Sequence, residues 1–277
     1  MNRTKRDLLI VIRHPVGGIR TYLKYTYKYL DPEKYRLTVL TVRNPEGSHI
    51  QTDLDGFEIR MVEIENRHAE LNMVLAMARL LSKGNFDLIH SQGFTAGALT
   101  ALGNSLFGVP HVLTSHDVLR EDQFGKTAFG QIKSRLFGQM LSRADVIQSV
   151  SHDAEANLLK YYPELSNGKP RLRVILNGID VDAFTVGAGQ HGEGTLRRDL
   201  GIAEETVLFG FLGRFMPQKG FEYLVDAVDI LSKHDEYRKR LKVLAVNDGA
   251  YIREYKALID SKKLTGYFSF HGFVPDV

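Results

Sequence analysis

The sequence predicts an α/β protein with two Rossmann-like domains, of which the second is incomplete. Three observations support this fold class. Short apolar runs alternate with longer segments of helical period, which is typical of β/α units around a parallel sheet. The 277 residues suffice for about two domains, at roughly 150 residues each. Both halves also open alike, since an apolar strand leads into a glycine-bearing turn and a helix in LLIVIRHPVGGI and in VLFGFLGRFMPQKGF.

The predicted first domain comprises residues 1–183. We interpret Leu8–Ile12 as a buried strand and not as a secretory signal, because the apolar run stops at Arg13, short of the roughly 7 to 15 residues of an h-region. His68–Lys83 is the clearest helix, and Gly84 suits the left-handed position just past its end. Six further strands are predicted, at Leu37–Val42, Phe57–Ile64, Asp87–His90, His111–Ser115, Val146–Val150 and Arg173–Leu176.

Residues 184–195 are predicted to be a linker, because four glycines fall between Gly187 and Gly194. The alternation of strands and helices resumes in the second domain, residues 196–277. A Rossmann-like sheet of the usual order has about six strands, so the three found here predict an incomplete domain. The strands are Val207–Leu212, Leu241–Val246 and Tyr267–His271, and the helices are Phe221–Lys233 and Tyr251–Lys263.

The composition excludes several classes of function. With 36 basic and 33 acidic residues the net charge is +3, which does not favour nucleic acid, because phosphate binding needs a concentrated basic patch. The absence of cysteine excludes a disulfide scaffold, an iron–sulfur cluster, a thiolate zinc site and a cysteine nucleophile. No apolar run approaches the roughly 18 residues of a spanning helix. We expect a cytoplasmic protein, with peripheral contact at the inner face of the membrane left open.

The segment Gly210–Phe221, GFLGRFMPQKGF, is the most informative about chemistry. It leaves a strand, turns at Gly213, presents Arg214 and Lys219, and starts a helix after Gly220. Backbone N–H groups at a helix start, a glycine that permits close approach and two cations in one loop suit a diphosphate. The alternative is a surface loop with incidental basic residues.

A related turn, His14–Ile19, follows the first strand of the first domain. Its adjacent Gly17 and Gly18 let a ligand approach the backbone at the amino end of the helix that begins at Ile19. A tight turn with no ligand is the alternative at this position.

Two Ser-His-Asp tripeptides, beginning at Ser115 and Ser151, do not predict a hydrolase, because the members of a catalytic triad converge from separate elements. Ser151 or Asp153 is expected to cap the helix that follows. His116 stands at the carboxyl end of a strand, where site residues of this architecture lie. A purely structural histidine is the alternative.

Two groups of charged residues resemble binding motifs. The acidic pairs Asp53/Asp55 and Asp180/Asp182 resemble a pair that holds a divalent ion, but both adjoin turn signals, so turns are favoured over metal sites. Two basic helices could dock on an anionic membrane or hold an acidic acceptor, with a solvated face as the alternative. Their cations are Arg20, Lys24 and Lys28 in the first helix, and Lys126, Lys133, Arg135 and Arg143 in the second.

The segments HPVGGIRTYL, TSHDV, ADVIQSVS, ILNGIDVDAF, FLGRFMPQKGFEYLVDAV and FHGFVPDV, in this order and spacing, resemble the group 1 glycosyltransferases (family four) of the GT-B fold. The resemblance covers nearly the whole chain. It implies two Rossmann-like domains that face a cleft. It also implies retaining transfer of a sugar from a nucleotide-sugar donor to a hydroxyl of a glycan or lipid-linked acceptor, without a metal or another cofactor.

The resemblance further implies a role for each candidate residue. Arg214 and Lys219 would bind the donor diphosphate and stabilise its growing charge. Gly17 and Gly18 would line the opposite side of the cleft, and His116, the candidate catalytic residue, would contact the sugar or the acceptor. Backbone contacts to the donor are implied at Gly213, Gly249, Gly272 and Phe273.

The chain departs from the family's pattern in two places. Asn247 stands where the family commonly has glycine, and the family's pair of donor-gripping glutamates is expected beyond Val277. A chain without these glutamates is expected to be a crippled transferase. The alternatives are a non-catalytic scaffold module that holds an acidic or membrane partner and a nucleotide-sugar epimerase of similar architecture, although NGIDVDAF and GRFMPQKG favour the transferase.

Overall fold

A computed structural model describes residues 5–44, 49–116, 118–121, 123–124, 127–182, 195–272 and 274. The predicted linker 184–195, apart from Thr195, lies outside the described residues, as do Phe273 and Lys126. The chain divides into two compact units, Met1–Val181 (unit 1) and Asp182–Val277 (unit 2).

Unit 1 contains a seven-stranded parallel sheet, which confirms the predicted α/β class. Its strands are β1 (Arg6–Ile12), β2 (Tyr35–Val42), β3 (Glu58–Ile64), β4 (Leu88–Gln92), β5 (His111–Ser115), β6 (Val146–Ser149) and β7 (Arg171–Val174). The strand order is β3-β2-β1-β4-β5-β6-β7, the Rossmann order extended by one strand. The order reverses between β1 and β4, and ligands of such sheets bind beyond the carboxyl ends of the strands at that point.

Helices cover both faces of this sheet. They are α1 (Gly18–Tyr27), α2 (His49–Asp53), α3 (Ala69–Lys83), α4 (Phe94–Gly103), α5 (Ala128–Leu141) and α6 (His152–Tyr161), with a 3-10 helix at Pro163–Asn167. Side chains alternate between the two faces along a strand, so Leu9 packs with Met73 of α3 while Ile10 packs with Leu23 of α1. The hydroxyl of Ser151 accepts a hydrogen bond from the Ala154 N–H (3.0 Å), which confirms the predicted cap of α6.

Unit 2 contains a three-stranded parallel sheet of order β10-β9-β8, formed by β8 (Val207–Leu212), β9 (Leu241–Val246) and β10 (Phe268–His271). Its helices are α7 (Thr195–Asp199), α8 (Phe221–Ser232), α9 (Asp235–Arg238) and α10 (Ile252–Ser261), with 3-10 helices at Pro217–Lys219 and Thr265–Tyr267. Phe215 and Phe221 are fully buried in a core rich in aromatic rings. On β8, by contrast, Phe209 is 39% and Leu212 is 58% exposed.

Most predicted element bounds agree with the structure to within two residues, and two details of the prediction are wrong. The last strand of unit 1 lies two residues earlier than predicted, because Ile175 and Leu176 are exposed and do not belong to a buried strand. Gly84 has an extended backbone (φ −122°, ψ 154°), not a left-handed one. Glycine suits this position because a larger residue would be crowded: a Cβ there would lie 3.1 Å from the Phe86 ring.

No helix within the described ranges is both long enough and apolar enough to cross a lipid bilayer.

Candidate functional site

The turn after β1 presents bare backbone at the carboxyl edge of the sheet. Gly17 has φ +55° and ψ −131°, a conformation that suits glycine, and it directly precedes α1. Among the described residues, no atom lies within 4 Å of the position that a Cβ would take at Gly17 or at Gly18. In the part of the chain that the structure describes, no side chain caps this helix start, and its first turn contains no acidic residue. The geometry leaves room for an anionic or hydroxyl-bearing group at the α1 amino end.

His116 follows β5 at the same edge of the sheet and is held by two neighbours. Its Nε2 lies 2.7 Å from Oε1 of Gln92, the last residue of β4. The ring of Tyr22, from α1, packs edge-on against it at 4.8 Å between ring centroids. Gln92 is 2% exposed, and its amide nitrogen is buried without a hydrogen-bond partner in the described structure. The histidine ring is therefore fixed in place by residues from two other elements.

A chain of buried and half-buried polar side chains runs beneath this site. Tyr27 Oη lies 2.6 Å from His90 Nδ1, and His90 Nε2 lies 2.7 Å from Thr114 Oγ1. The Thr114 hydroxyl donates to Gln148 Oε1 (3.4 Å), and the Gln148 amide donates to Tyr22 Oη (3.1 Å).

Burial determines the protonation of this chain. It lowers the pKa of His90 to about 3 and raises the pKa of the Tyr27 phenol. The phenol therefore stays protonated and donates to a neutral His90, whose Nε2–H donates to Thr114.

Ion pairs occupy one residue of each acidic pair that resembled a metal site. Arg20 of α1 binds Asp53, with Nη2 at 3.0 Å from Oδ1, and Lys28 binds Asp180. The described residues include no group of three or more His, Cys, Asp or Glu side chains placed to hold a metal ion. These contacts also use two of the three cations predicted on the first basic helix, which leaves Lys24 exposed.

A pocket of about 290 Å³ lies between α1 and the loop that contains the NGID sequence. It opens beside Gly18. Its lining includes two tyrosines of α1, a third tyrosine just after that helix, and polar residues of the loop: Tyr22, Tyr25, Tyr29, Asn177 and Asp180.

In unit 2, the loop between β8 and α8 exposes two basic side chains to solvent, while the phenylalanine between them is buried. Arg214 and Lys219 are exposed, and neither side chain has a hydrogen bond or ion pair within the described part of the chain. Phe215, next to Arg214, is fully buried against Phe211 and Phe221. The left-handed residue of the loop is Gly220 (φ +67°), at the start of α8, whereas Gly213 does not have a positive φ. The loop is therefore anchored at its centre while its cations stay free.

The loop after β9 supports this anchor. A Cβ on Gly249 would lie 2.5 Å from both the nitrogen and the oxygen of Phe215, so only glycine fits. The Phe215 N–H donates to Asp248 O (3.1 Å), and the Tyr251 N–H donates to Phe215 O (3.2 Å). The Gly249 N–H already donates to Asp248 Oδ1 (2.7 Å). Glycine at position 249 thus lets the loop after β9 pack directly on the loop after β8 that carries Arg214 and Lys219.

Asn247, where the family commonly has glycine, has φ +109°, a backbone conformation that favours glycine. Its N–H donates to both His271 O (3.0 Å) and Gly272 O (3.2 Å), and its side-chain oxygen accepts from the Asp248 N–H (2.8 Å). Gly272 is exposed, and no atom of the described residues lies within 4 Å of the position that a Cβ would take there. The carboxyl ends of β8, β9 and β10 thus meet at one edge of the small sheet.

The sequence did not predict the residues that hold His116. Gln92 and Tyr22 are distant from it in the chain, so only the strand order brings them together. One available signal was a polar residue that ends a buried strand directly before Gly93. The other was an aromatic residue one turn into the helix that starts at Gly18.

Comparison with known proteins identifies both units. A model of the glycosyl transferase 4-like domain matches residues 17–198, and a model of the group 1 glycosyl transferases matches residues 193–277.

Two curated relatives have similar identity. The D-inositol 3-phosphate glycosyltransferase of Salinispora arenicola is 28% identical over 55% of this chain and 35% of its own length. The alpha-maltose-1-phosphate synthase of Mycolicibacterium smegmatis is 29% identical over 59% of this chain and 43% of its own length. The matched part is therefore less than half of each relative.

Among solved structures, the Anabaena protein HepE in complex with UDP and glucose has a TM-score of 0.75. It covers 98% of this chain and 70% of its own, at 21% sequence identity, which shows the fold alone. Both family models match in the expected order, the first over more than half of the residues. The chain belongs to the group 1 glycosyltransferases of the GT-B fold, with a glycosyl transferase 4-like domain in its first part.

Proposed function

We propose that the protein containing this chain transfers a sugar from a nucleotide-sugar donor to a hydroxyl of a glycan or lipid-linked acceptor, with retention of anomeric configuration and without a bound metal. Unit 2 would bind the donor and unit 1 the acceptor. Membership of the group 1 glycosyltransferases supports this activity over the epimerase alternative.

The observation that supports donor binding most directly is the pair of free cations in the loop after β8. Arg214 and Lys219 are exposed without partners in the described structure, although many other surface cations of the chain form ion pairs. The buried Phe215 and the close contact at Gly249 fix the loop before any ligand arrives. The loop is already ordered when a diphosphate binds there. The net affinity is therefore not reduced by the entropy cost of ordering the loop.

The same cations suit the reaction. The acceptor oxygen forms a bond to the anomeric carbon while the bond from that carbon to the β-phosphate oxygen breaks, and the acceptor proton passes to the departing phosphate. Negative charge grows on the nucleoside diphosphate in the transition state, so fixed cations beside it lower the barrier. His116, held by Gln92 and Tyr22, would contact the sugar or the acceptor from unit 1.

Positive observations also support the proposal that no metal is required. Asp53 and Asp180, which belong to the acidic pairs, are bound by Arg20 and Lys28. The charge of the leaving diphosphate would instead be balanced by Arg214 and Lys219, as a guanidinium and an ammonium can do without a divalent ion.

Titration of UDP, GDP and ADP by calorimetry tests the donor site. We expect the wild-type chain to bind at least one of them, and Arg214→Ala and Lys219→Ala each to weaken binding by about tenfold or more, as for other charge-assisted contacts. Lys239→Ala and Arg253→Ala serve as matched controls, because both residues are exposed cations elsewhere on unit 2.

Equal binding by the wild type and both loop variants would refute the site assignment, and so would equal losses in the two controls. Retention is tested separately by the anomeric proton coupling of the product formed from a donor of known configuration.

A further inference from the structure

Helix α5 exposes three large apolar side chains that its own packing does not need. Phe129 is 66%, Ile132 is 58% and Leu136 is 49% exposed. The helix packs into the core of unit 1 through other residues, among them Gly138 and Leu141. Scattered single apolar residues are normal on a protein surface, but a contiguous row of them indicates an interaction site.

The row has the geometry of an amphipathic surface helix. At about 100° per residue, Phe129, Ile132 and Leu136 fall within about 60° of one another. Lys133 and Arg135 then fall on opposite borders of the row, and both are exposed. The Lys133 ammonium lies 4.5 Å from the centroid of the Phe129 ring, so its aliphatic stem runs along the apolar row. An apolar row with a cation on either side is the pattern of helices that lie in a membrane interface.

The charges on α5 and the residues next to it, between Asp122 and Asp145, all have one sign. Residues 123–144 include four basic side chains and no acidic one. The neighbouring helix α4, which packs against α5, has no charged residue at all. Leu102 at the end of α4 and Leu106 just after it are also exposed, at 39% and 91%. Glu121, at the approach to α5, is paired with Lys160.

We propose that α5 docks this protein on the surface of an anionic lipid bilayer. Phe129, Ile132 and Leu136 enter the boundary between headgroups and acyl chains, while Lys133 and Arg135 contact the anionic headgroups. The charge argues for lipid over a second copy of the chain, because two such faces would bring like charges together. The proposal goes beyond sugar transfer, since docking requires neither donor nor acceptor.

Sedimentation with lipid vesicles tests the proposal. One set of vesicles is phosphatidylcholine with about 30 mol % phosphatidylglycerol, and the other is phosphatidylcholine alone. We expect binding to the anionic set only, weakened when NaCl rises from about 0.1 M to about 0.5 M, because salt screens exposed charges.

Lys133→Gln with Arg135→Gln should lower the partition coefficient by about 25-fold, at about fivefold for each cation. Phe129→Ser with Ile132→Ser should lower it by about tenfold or more, because the apolar contacts are lost. The matched controls, Lys239→Gln with Arg253→Gln and Ile230→Ser, change exposed residues of unit 2 and should bind as the wild type does. All of these side chains are exposed, and far-UV circular dichroism checks that each variant folds.

Failure of the wild type to bind anionic vesicles would overturn the proposal. Equal binding to both vesicle types, or full binding by the α5 variants, would do the same. Self-association in the absence of lipid that the α5 variants abolish would instead identify a contact between copies. Nucleotide titration is unaffected by these outcomes, so failure here and failure of the proposed activity are distinguishable.

Discussion

The stability of unit 1 should fall as the pH drops below 6.5, because its core holds two neutral histidines. Burial lowers the pKa of His90 from 6.5 to about 3, and burial lowers the pKa of His111 to about 4 against the opposing attraction of Asp145. The folded pKa of each is depressed, so below pH 6.5 the unfolded chain takes up protons that the folded chain excludes. Burial of the two neutral histidines therefore has no cost to the free energy of unfolding above pH 6.5. The free energy of unfolding decreases as the pH falls from 6.5 toward the folded pKa values.

The expected loss in the free energy of unfolding depends on how far the pH lies below 6.5, the pKa of the histidines in the unfolded chain. Each histidine contributes up to about 1.4 kcal/mol per pH unit once the pH is well below 6.5, so the two together should cost about 3 kcal/mol between pH 6.5 and about pH 5. Most carboxylates in the unfolded chain stay ionised over this range, with ordinary pKa values near 4, so they contribute little.

Urea unfolding at a series of pH values measures the effect, with His90→Gln as the informative variant. Glutamine can accept from the Tyr27 phenol and donate to Thr114, as the imidazole does. The variant loses stability at pH 7, and its deficit relative to the wild type should shrink by about 2 kcal/mol by about pH 5. Unit 2 is common to both proteins and cancels in the difference.

His152→Gln, at an exposed position on α6, controls for the loss of an imidazole. A deficit for His90→Gln that stays constant from pH 7 to about pH 5 would refute the reasoning, since it would mean that His90 titrates alike in the folded and unfolded chain.

Two further predictions concern the candidate site. Gly249→Ala forces a Cβ against the Phe215 backbone, so it should destabilise unit 2 by about 1–3 kcal/mol and weaken nucleoside diphosphate binding, as measured by urea unfolding and calorimetry. Gly213→Ala would place a Cβ 3.7 Å from the Phe211 ring, so it should leave the stability of unit 2 nearly unchanged, and an equal loss of stability in the two variants would contradict the support that Gly249 gives to the loop. Gln92→Leu removes the acceptor at His116 Nε2 and should release the neutral ring from the Nε2–H tautomer, which nitrogen-15 chemical shifts report. Gln92→Glu retains an acceptor and should keep that tautomer, whereas unchanged shifts in Gln92→Leu would contradict the role of Gln92.

The sequence was sufficient for the fold because parallel strands buried on both faces are nearly continuous apolar runs. His111–Ser115 and Val207–Leu212 were predicted with the bounds that the structure has. The prediction failed at the last strand of unit 1, where the apolar Ile175 and Leu176 face solvent. Apolarity reports burial only on average, so a strand at the edge of a sheet is harder to place than a central one.

The candidate site was predictable only where one loop contains all of its parts. Arg214 and Lys219 stand in a single segment, so their common exposure could be expected. The contact between Gln92 and His116 depends on β4 and β5 being neighbours, which residue spacing does not reveal. The ion pair of Asp53 with Arg20 could not be predicted from the sequence for the same reason, because its two residues come from different helices.

The exposed apolar side chains of β8 have a consequence for handling the protein in solution. β8 is an outer strand of the described sheet, and Phe209 and Leu212 leave it partly uncovered. Outer strands with apolar side chains can pair with the same strand of another molecule, which leads to aggregation. The apparent molar mass measured by light scattering should therefore increase with protein concentration. Titrations and vesicle assays should be run on dilute samples, where the signal reports a single chain with its ligand.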